Sequence, residues 1–275
     1  MTVLTPTLTL ITLVFSVLTL TPFAFADKLT LSEIIDQAGQ QRMLSQRIAK
    51  AYILKGIPKQ KEKGEDQLTS AITQFNKNFY NIKKHKSSKA LPHELTLVKN
   101  QWLIFKDLID QPNSPENELK VIKQSDFLLK AAHAYVKKLE MITGEELSEV
   151  VGTSGKQRML SQRIARNYLA YHRGLAEEEW LDRVYDDLAE YENTLLYLKT
   201  TSVNTRAINT MLRKAHSNFR FINQGFDGIL SFSPERLVHV AISSTEMMLY
   251  RMDTLTKQYA ALETSSDYNS SIASR

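Results

Sequence analysis

The sequence of 275 residues has no cysteine, which excludes disulfides, thiolate metal sites and a cysteine nucleophile. Glycine (9) and proline (7) are scarce. So few breakers in so long a chain favour helices over a strand-and-turn fold. The six histidines are scattered, with no HExxH or other ligand spacing, and no nucleophile–base pair stands out. An enzyme is therefore not expected, and no cofactor is implied. The net charge of +5 is modest and interleaved with acids, without an arginine–aromatic stripe, so nucleic acid is not an expected partner. After residue 26 no segment is apolar enough to cross a membrane.

The first 26 residues lack any charged side chain. Ile11 to Leu20 form an apolar stretch, and Ala24-Phe25-Ala26 has the A-x-A form of an export cleavage site. The expectation is a signal peptide over 1–26, with an uncleaved anchor as the rival. It implies a mature chain in the periplasm, with no span and no transmitter domain of its own.

One feature dominates the rest. Gln41-Arg42-Met43-Leu44-Ser45-Gln46-Arg47-Ile48-Ala49 recurs unchanged at Gln157-Arg158-Met159-Leu160-Ser161-Gln162-Arg163-Ile164-Ala165, 116 residues later. Tyr52 and Tyr168 keep the same offset, and Gly56 and Gly174 each follow the repeat. This is a tandem duplication, with a period far longer than that of solenoid repeats.

Each copy reads as four helices joined by short links, an up-down bundle pattern. The expected helices cover about 30–54, 60–85, 92–110, 116–142, 146–172, 176–200, 204–230 and 235–262. Thr30 and Glu33 form a capping-box signature. The fold expected is all-α: two tandem four-helix bundles, able to pack as an internal pseudo-dimer. The domains read as 27–143 and 144–263, with a frayed tail at 264–275. Trp102, Phe105, Leu108 and Ile109 are expected in the core, as are Phe127, Leu128, Ala131 and Tyr135. Met43, Met159, Met211, Met247 and Met248 fit helix packing better than a copper site. The acids Glu177-Glu178-Glu179 mark a helix start, Asp186-Asp187 an exposed face, and His133 and His172 core or surface.

On a helix, one stripe joins Ile35, Gly39, Arg42, Gln46, Ala49 and Ile53. Its counterpart joins Val151, Gly155, Arg158, Gln162, Ala165 and Leu169. Glycine within a helix costs about 1 kcal/mol relative to alanine, so it asks for a reason, such as close approach of another backbone. An arginine in the same seam is expensive unless its charge is answered. Its five fixed donors suit a carboxylate or a planar oxyanion. Packing sealed by an arginine–acid pair and an anion site both remain open on these residues alone. Arg47 and Arg163 lie about 140° round the helix and read as surface or inter-helix salt-bridge residues, with Ser45 and Ser161 flanking the seam.

Ala38-Gly39-Gln40-Gln41-Arg42-Met43-Leu44-Ser45-Gln46-Arg47 resembles the signature helix of a bacterial sensor domain. That domain is shared by type IV pilus methyl-accepting chemotaxis transducers (PilJ-type) and nitrate/nitrite sensor kinases (NarX-type), and the wording here is closer to the PilJ-type. The resemblance implies a periplasmic four-helix sensory bundle that pairs through this helix. It also implies a small anion between the paired helices, with nitrate and nitrite as candidates. The residues so implicated are Gly39, Arg42, Met43 and Gln46, with Gly155, Arg158, Met159 and Gln162. It further implies a membrane receptor or kinase as partner. The alternative is a protein-interaction module of a pilus, chemotaxis or two-component system, with structural arginines. Gln40-Gln41 and Lys156-Gln157 depart from the nitrate-sensor wording.

Overall fold

The computed structural model describes residues 29–144, 146–175, 179–227 and 234–262. The expected signal peptide, most of the acidic run at 177–179 and the C-terminal tail lie outside them. The described residues form eight α-helices and no strand: α1 Leu31–Lys55, α2 Lys61–Lys84, α3 Pro92–Ile109, α4 Pro115–Thr143, α5 Glu146–His172, α6 Trp180–Leu198, α7 Arg206–Asp227 and α8 Pro234–Leu262. Two short 3-10 turns, Pro58–Gln60 and Lys86–Ala90, were not foreseen.

Local chemistry sets the helix ends. Thr30 Oγ1 accepts from Glu33 N at 3.2 Å while Thr30 N donates to the Glu33 carboxylate at 2.7 Å, the reciprocal capping box. Pro92 and Pro115 open α3 and α4, where a missing N–H costs nothing. Ser114 caps α4 by accepting from Asn117 N. Gly144 ends α4 with φ of 62°, a left-handed conformation that favours glycine. Residues 144 and 145 alone separate α4 from α5.

The motif helices form the centre of the molecule. α1 packs on α2, α4, α5 and α8, and α5 packs on α1, α4, α6 and α8. α1 and α5 run side by side in the same direction and in register. Gly39 meets Gly155, and further along Gln46 meets Arg166 and Arg47 meets Gln162. The two copies are thus joined through their repeated helices as an internal pseudo-dimer.

The duplication extends beyond the motif. Phe75 stacks on Trp102 at 4.0 Å between ring centroids, and Tyr191 stacks on Phe219 at 5.0 Å in the second copy. Gln41 Nε2 donates to the Phe75 carbonyl, and Gln157 Nε2 to the Tyr191 carbonyl. Each glutamine therefore ties its motif helix to the next helix of its own copy, over the same aromatic layer.

Three burial expectations are corrected. Phe127 is half exposed, because α4 buries the stripe Val121, Gln124, Ser125, Leu128, Ala132 and Tyr135 and Phe127 falls outside it. Met247 is half exposed while its neighbour Met248 is buried, since adjacent helical residues face about 100° apart. Asp187 is buried on the face of α6 that carries Val184, Leu188 and Tyr191. There it accepts from Arg163 Nε at 2.9 Å. The remaining expected aromatics, Trp102, Phe105 and Tyr135, are in the core.

Candidate anion site at the repeated helices

Every member of the two stripes is buried, and the stripes face each other between α1 and α5. At the contact, a methyl on Gly39 would lie 4.0 Å from Gly155 Cα, 3.2 Å from Arg42 Nη2 and 3.4 Å from Arg158 Nη2. A methyl on Gly155 would lie 3.2 Å from Nη2 of both arginines. The glycines therefore allow two backbones to close and two guanidiniums to lie over the contact.

The arginines obey the pseudo-twofold at the backbone. Arg42 Nη2 donates to the carbonyl of Gly152 at 2.6 Å, and Arg158 Nη2 to the carbonyl of Asp36 at 3.2 Å. Asp36 and Gly152 are themselves counterparts, 116 residues apart. Their side chains break the symmetry. Arg158 Nη2 lies 2.6 Å from the Asp36 carboxylate, and Arg158 Nη1 lies 2.9 Å from Asp253 Oδ1. Arg42 meets the missing side chain of Gly152 instead, and its Nη1 lies 3.3 Å from His133 Nδ1. His133 and Asp253 occupy corresponding places on α4 and α8. Among the described residues no carboxylate reaches salt-bridge distance of Arg42.

The electrostatics follow the partners. Burial pushes both guanidiniums down, but Asp36 and Asp253 outweigh it for Arg158, whose pKa is raised. Arg42 is left lowered to about 10 by burial, relieved in part by Glu140 and worsened by Arg158. Glu140 Oε1 sits where a Gly152 side chain would begin and has no hydrogen-bond partner among the described residues. Its Oε2 accepts from Lys137 Nζ at 2.6 Å. His133 is held down at about 4, first by burial and then by Arg42, Lys137 and Lys156, so it is neutral near pH 7.

The other motif residues serve the seam. Ser45 and Ser161 return their hydroxyls to the carbonyls of Arg42 and Arg158 on their own helices. Met43 and Met159 lie in the hydrophobic core. Gln46 accepts from Arg166 Nη1 at 2.5 Å and donates to the Ser125 carbonyl, and Gln162 accepts from Arg47 at 3.2 Å. Arg47 pairs with Glu246 on α8, and Arg163 with Asp187 and Glu190 on α6, the inter-helix bridges expected of them. Lys50, fully buried, also pairs with Glu246. Burial lowers Lys50, the deeper partner, to about 8. Burial also opposes ionisation of Glu246, yet Lys50 and Arg47 outweigh it and hold the carboxyl at about 2.

A cavity of about 370 Å³ opens beside Arg42, lined also by His133, Lys137, Thr153, Lys156 and Thr194. None of its lining side chains is a carboxylate. The sequence reading missed His133, Lys137 and Lys156 as neighbours of Arg42. They converge from α4 and α5, and only the packing of the two copies brings them together.

The chain matches the family described as "Type IV pili methyl-accepting chemotaxis transducer N-term" over residues 24–126 and 143–228. The chain belongs to this family. Two matched segments agree with the duplication, and each contains one motif helix. No curated protein matches the chain, and no solved structure does. Membership makes the protein a sensory module of the transducer type, whose N-terminal domains face the periplasm. No helix among the described residues is long and apolar enough to cross a membrane.

Proposed function

We propose that the protein is an exported sensory module that binds a small anion at its repeated Gly-x-x-Arg helices and passes the bound state to a membrane partner. Arg42 is the anchor, with Gly39, Gly155 and Arg158 shaping the seam around it. Met43, Met159, Gln46 and Gln162 support the helix pair from the core and the next polar layer. Nitrate and nitrite are candidate ligands by resemblance.

One observation carries this reading. Two arginines alike in sequence and burial differ in their partners: Arg158 has two carboxylates and Arg42 has none within salt-bridge distance. A buried cation without a close counter-charge is costly, and an incoming anion answers it. Because Arg42 spans from α1 to the backbone of α5, an anion that changes its hydrogen bonds biases the geometry of the helix pair.

The second reading is a protein-interaction module with structural arginines, and the paired state of Arg158 favours it for that half of the seam. Calorimetric titration of the mature chain with nitrate, nitrite and sulfate separates the two. Binding of one of them that vanishes in Arg42→Ala supports the sensor. Absence of heat with all three, beside a merely less stable variant, supports the interaction module.

A further inference from the structure

The cavity beside Arg42 has a twin. A second cavity of about 340 Å³ is lined by Glu33, Asp36, Gln37, Gln40, Lys77, Asn78 and Lys257, among others. Under the offset of the repeat, Asp36, Gln37 and Gln40 correspond to Gly152, Thr153 and Lys156. Lys77, Asn78 and Asn81 likewise correspond to Asn193, Thr194 and Tyr197. The duplication therefore built one groove twice and then made the two copies chemically different. The first is lined by Arg42, Lys137 and Lys156 without a carboxylate, and the second contains Glu33 and Asp36.

We propose that the groove between α4, α5 and α6 binds one small organic carboxylate per chain, its carboxylate on Arg42 and its polar body on Thr153, Asn193 and Thr194, while Asp36 fills the equivalent place in the twin. This rests on the anion reading of Arg42 given above, and narrows it in ligand class and stoichiometry.

Size argues against an inorganic oxyanion as the only occupant. A water takes about 30 Å³ of liquid volume, so the cavity has room for about a dozen waters, and a four-atom anion on Arg42 would not extend to the hydroxyl and amide groups on its far wall. The volume lies in the range of sites for small organic ligands. Charge argues for a single carboxylate. Lys137 already pairs with Glu140, and Lys156 pairs with Glu190, so Arg42 supplies the one cation without a carboxylate at salt-bridge distance. Beyond Arg42 and the two paired lysines the lining is hydroxyl, amide and neutral imidazole, which suits hydroxyl or amide groups on the ligand. Asp36 shows the geometry from within the chain: at Arg158 a carboxylate lies 2.6 Å from Nη2 and the same nitrogen still holds the backbone carbonyl across the seam.

The test is calorimetric titration of the mature chain with lactate, a small hydroxylated carboxylate, and with nitrate. It is repeated on Thr153→Val/Thr194→Val and on Gly152→Asp/Glu140→Ala. The second variant gives Arg42 the carboxylate that Arg158 has, and removes the Glu140 oxygen that an added side chain would strike. The expected result is one lactate per chain, at least tenfold tighter than nitrate. The valine variant weakens lactate several-fold and leaves nitrate unchanged. The Gly152→Asp/Glu140→Ala variant abolishes both, with a melting temperature no lower than that of the wild type. Nitrate binding that depends on Arg42, with lactate no tighter, overturns the carboxylate assignment and leaves the anion reading standing. Failure of both ligands to bind overturns both.

Discussion

Arg158 reaches across the seam from α5 and places Nη2 2.6 Å from the Asp36 carboxylate on α1. Arg42 makes the twofold-related reach to Gly152 and finds a carbonyl alone. The pair is a built-in comparison of one residue in two electrostatic states.

Removing the two arginines should therefore have unequal effects. Arg158→Met leaves the buried Asp36 carboxylate without its counter-charge, while Asp253 keeps Lys257, and should cost about 3 kcal/mol. Arg42→Met removes a buried charge with no close partner, and should change stability by less than about 1 kcal/mol in either direction. Urea unfolding of both variants at pH 7 measures the difference, and equal losses would contradict the asymmetry.

The glycine contact predicts a steric limit. Gly39→Leu or Gly155→Leu must push aside two guanidiniums and the opposing backbone, for a loss of about 1–3 kcal/mol or a reopened seam. At Gly144 an added Cβ meets no neighbour, so Gly144→Ala tests only the positive φ forced on a side chain, a separate strain of roughly 1 kcal/mol. Thermal melts of the three variants distinguish packing from backbone strain.

His133 gives the fold a mild acid sensitivity. Its pKa is depressed from the ordinary 6.5 to about 4 in the folded chain, so the unfolded chain binds the proton first. Its contribution is complete above pH 6.5 and is lost as pH falls towards 4. Partial exposure reduces the effect to about 2 kcal/mol. His133→Gln should flatten the stability profile across that window. A ligand carboxylate on Arg42 should raise the His133 pKa, visible in the imidazole proton shifts.

Glu246 acts in a lower window. Lys50 and Arg47 overcome its burial and hold it at about 2, below its ordinary 4.5. Its stabilisation is therefore complete above about 4.5 and disappears as pH falls through 2. Glu246→Gln should cost roughly 3 kcal/mol at pH 7 and little at pH 2, measured by denaturant unfolding at each pH. It also strands Lys50, which is fully buried.

The silent half of the pseudo-dimer should be recoverable. Asp36→Gly/Asp253→His rewrites the surroundings of Arg158 in the residues that surround Arg42. The expected outcome is a second equivalent of bound anion per chain by calorimetry, where the wild type takes one.

Much of this arrangement was legible in the sequence. Nine identical residues at one offset mark the duplication, and a Gly-x-x-Arg stripe at helical spacing already indicates a close seam with a charge in it. The asymmetry was also within reach: three residues before Gly39 stands Asp36, and the same offset gives Gly152. Burial of Asp187 follows from its phase with Val184 and Tyr191, which outweighs the exposure usual for an aspartate because Arg163 waits on the facing helix. The lining by His133, Lys137 and Lys156 was not legible. α4 and α5 are adjacent in sequence, but what the α4 residues face depends on how the two copies dock, and spacing along one helix does not determine that.

The two-residue passage from α4 to α5 has a further consequence. Separate protomers that pair through such a helix do so at the mercy of their abundance, and dilution parts them. Covalent linkage turns the encounter into an intramolecular one, at an effective concentration set by the tether rather than by the cell. The halves stay together at any expression level, so their pairing carries no information about copy number. It also lets one half mutate without its twin, a liberty that an assembly of identical subunits never has.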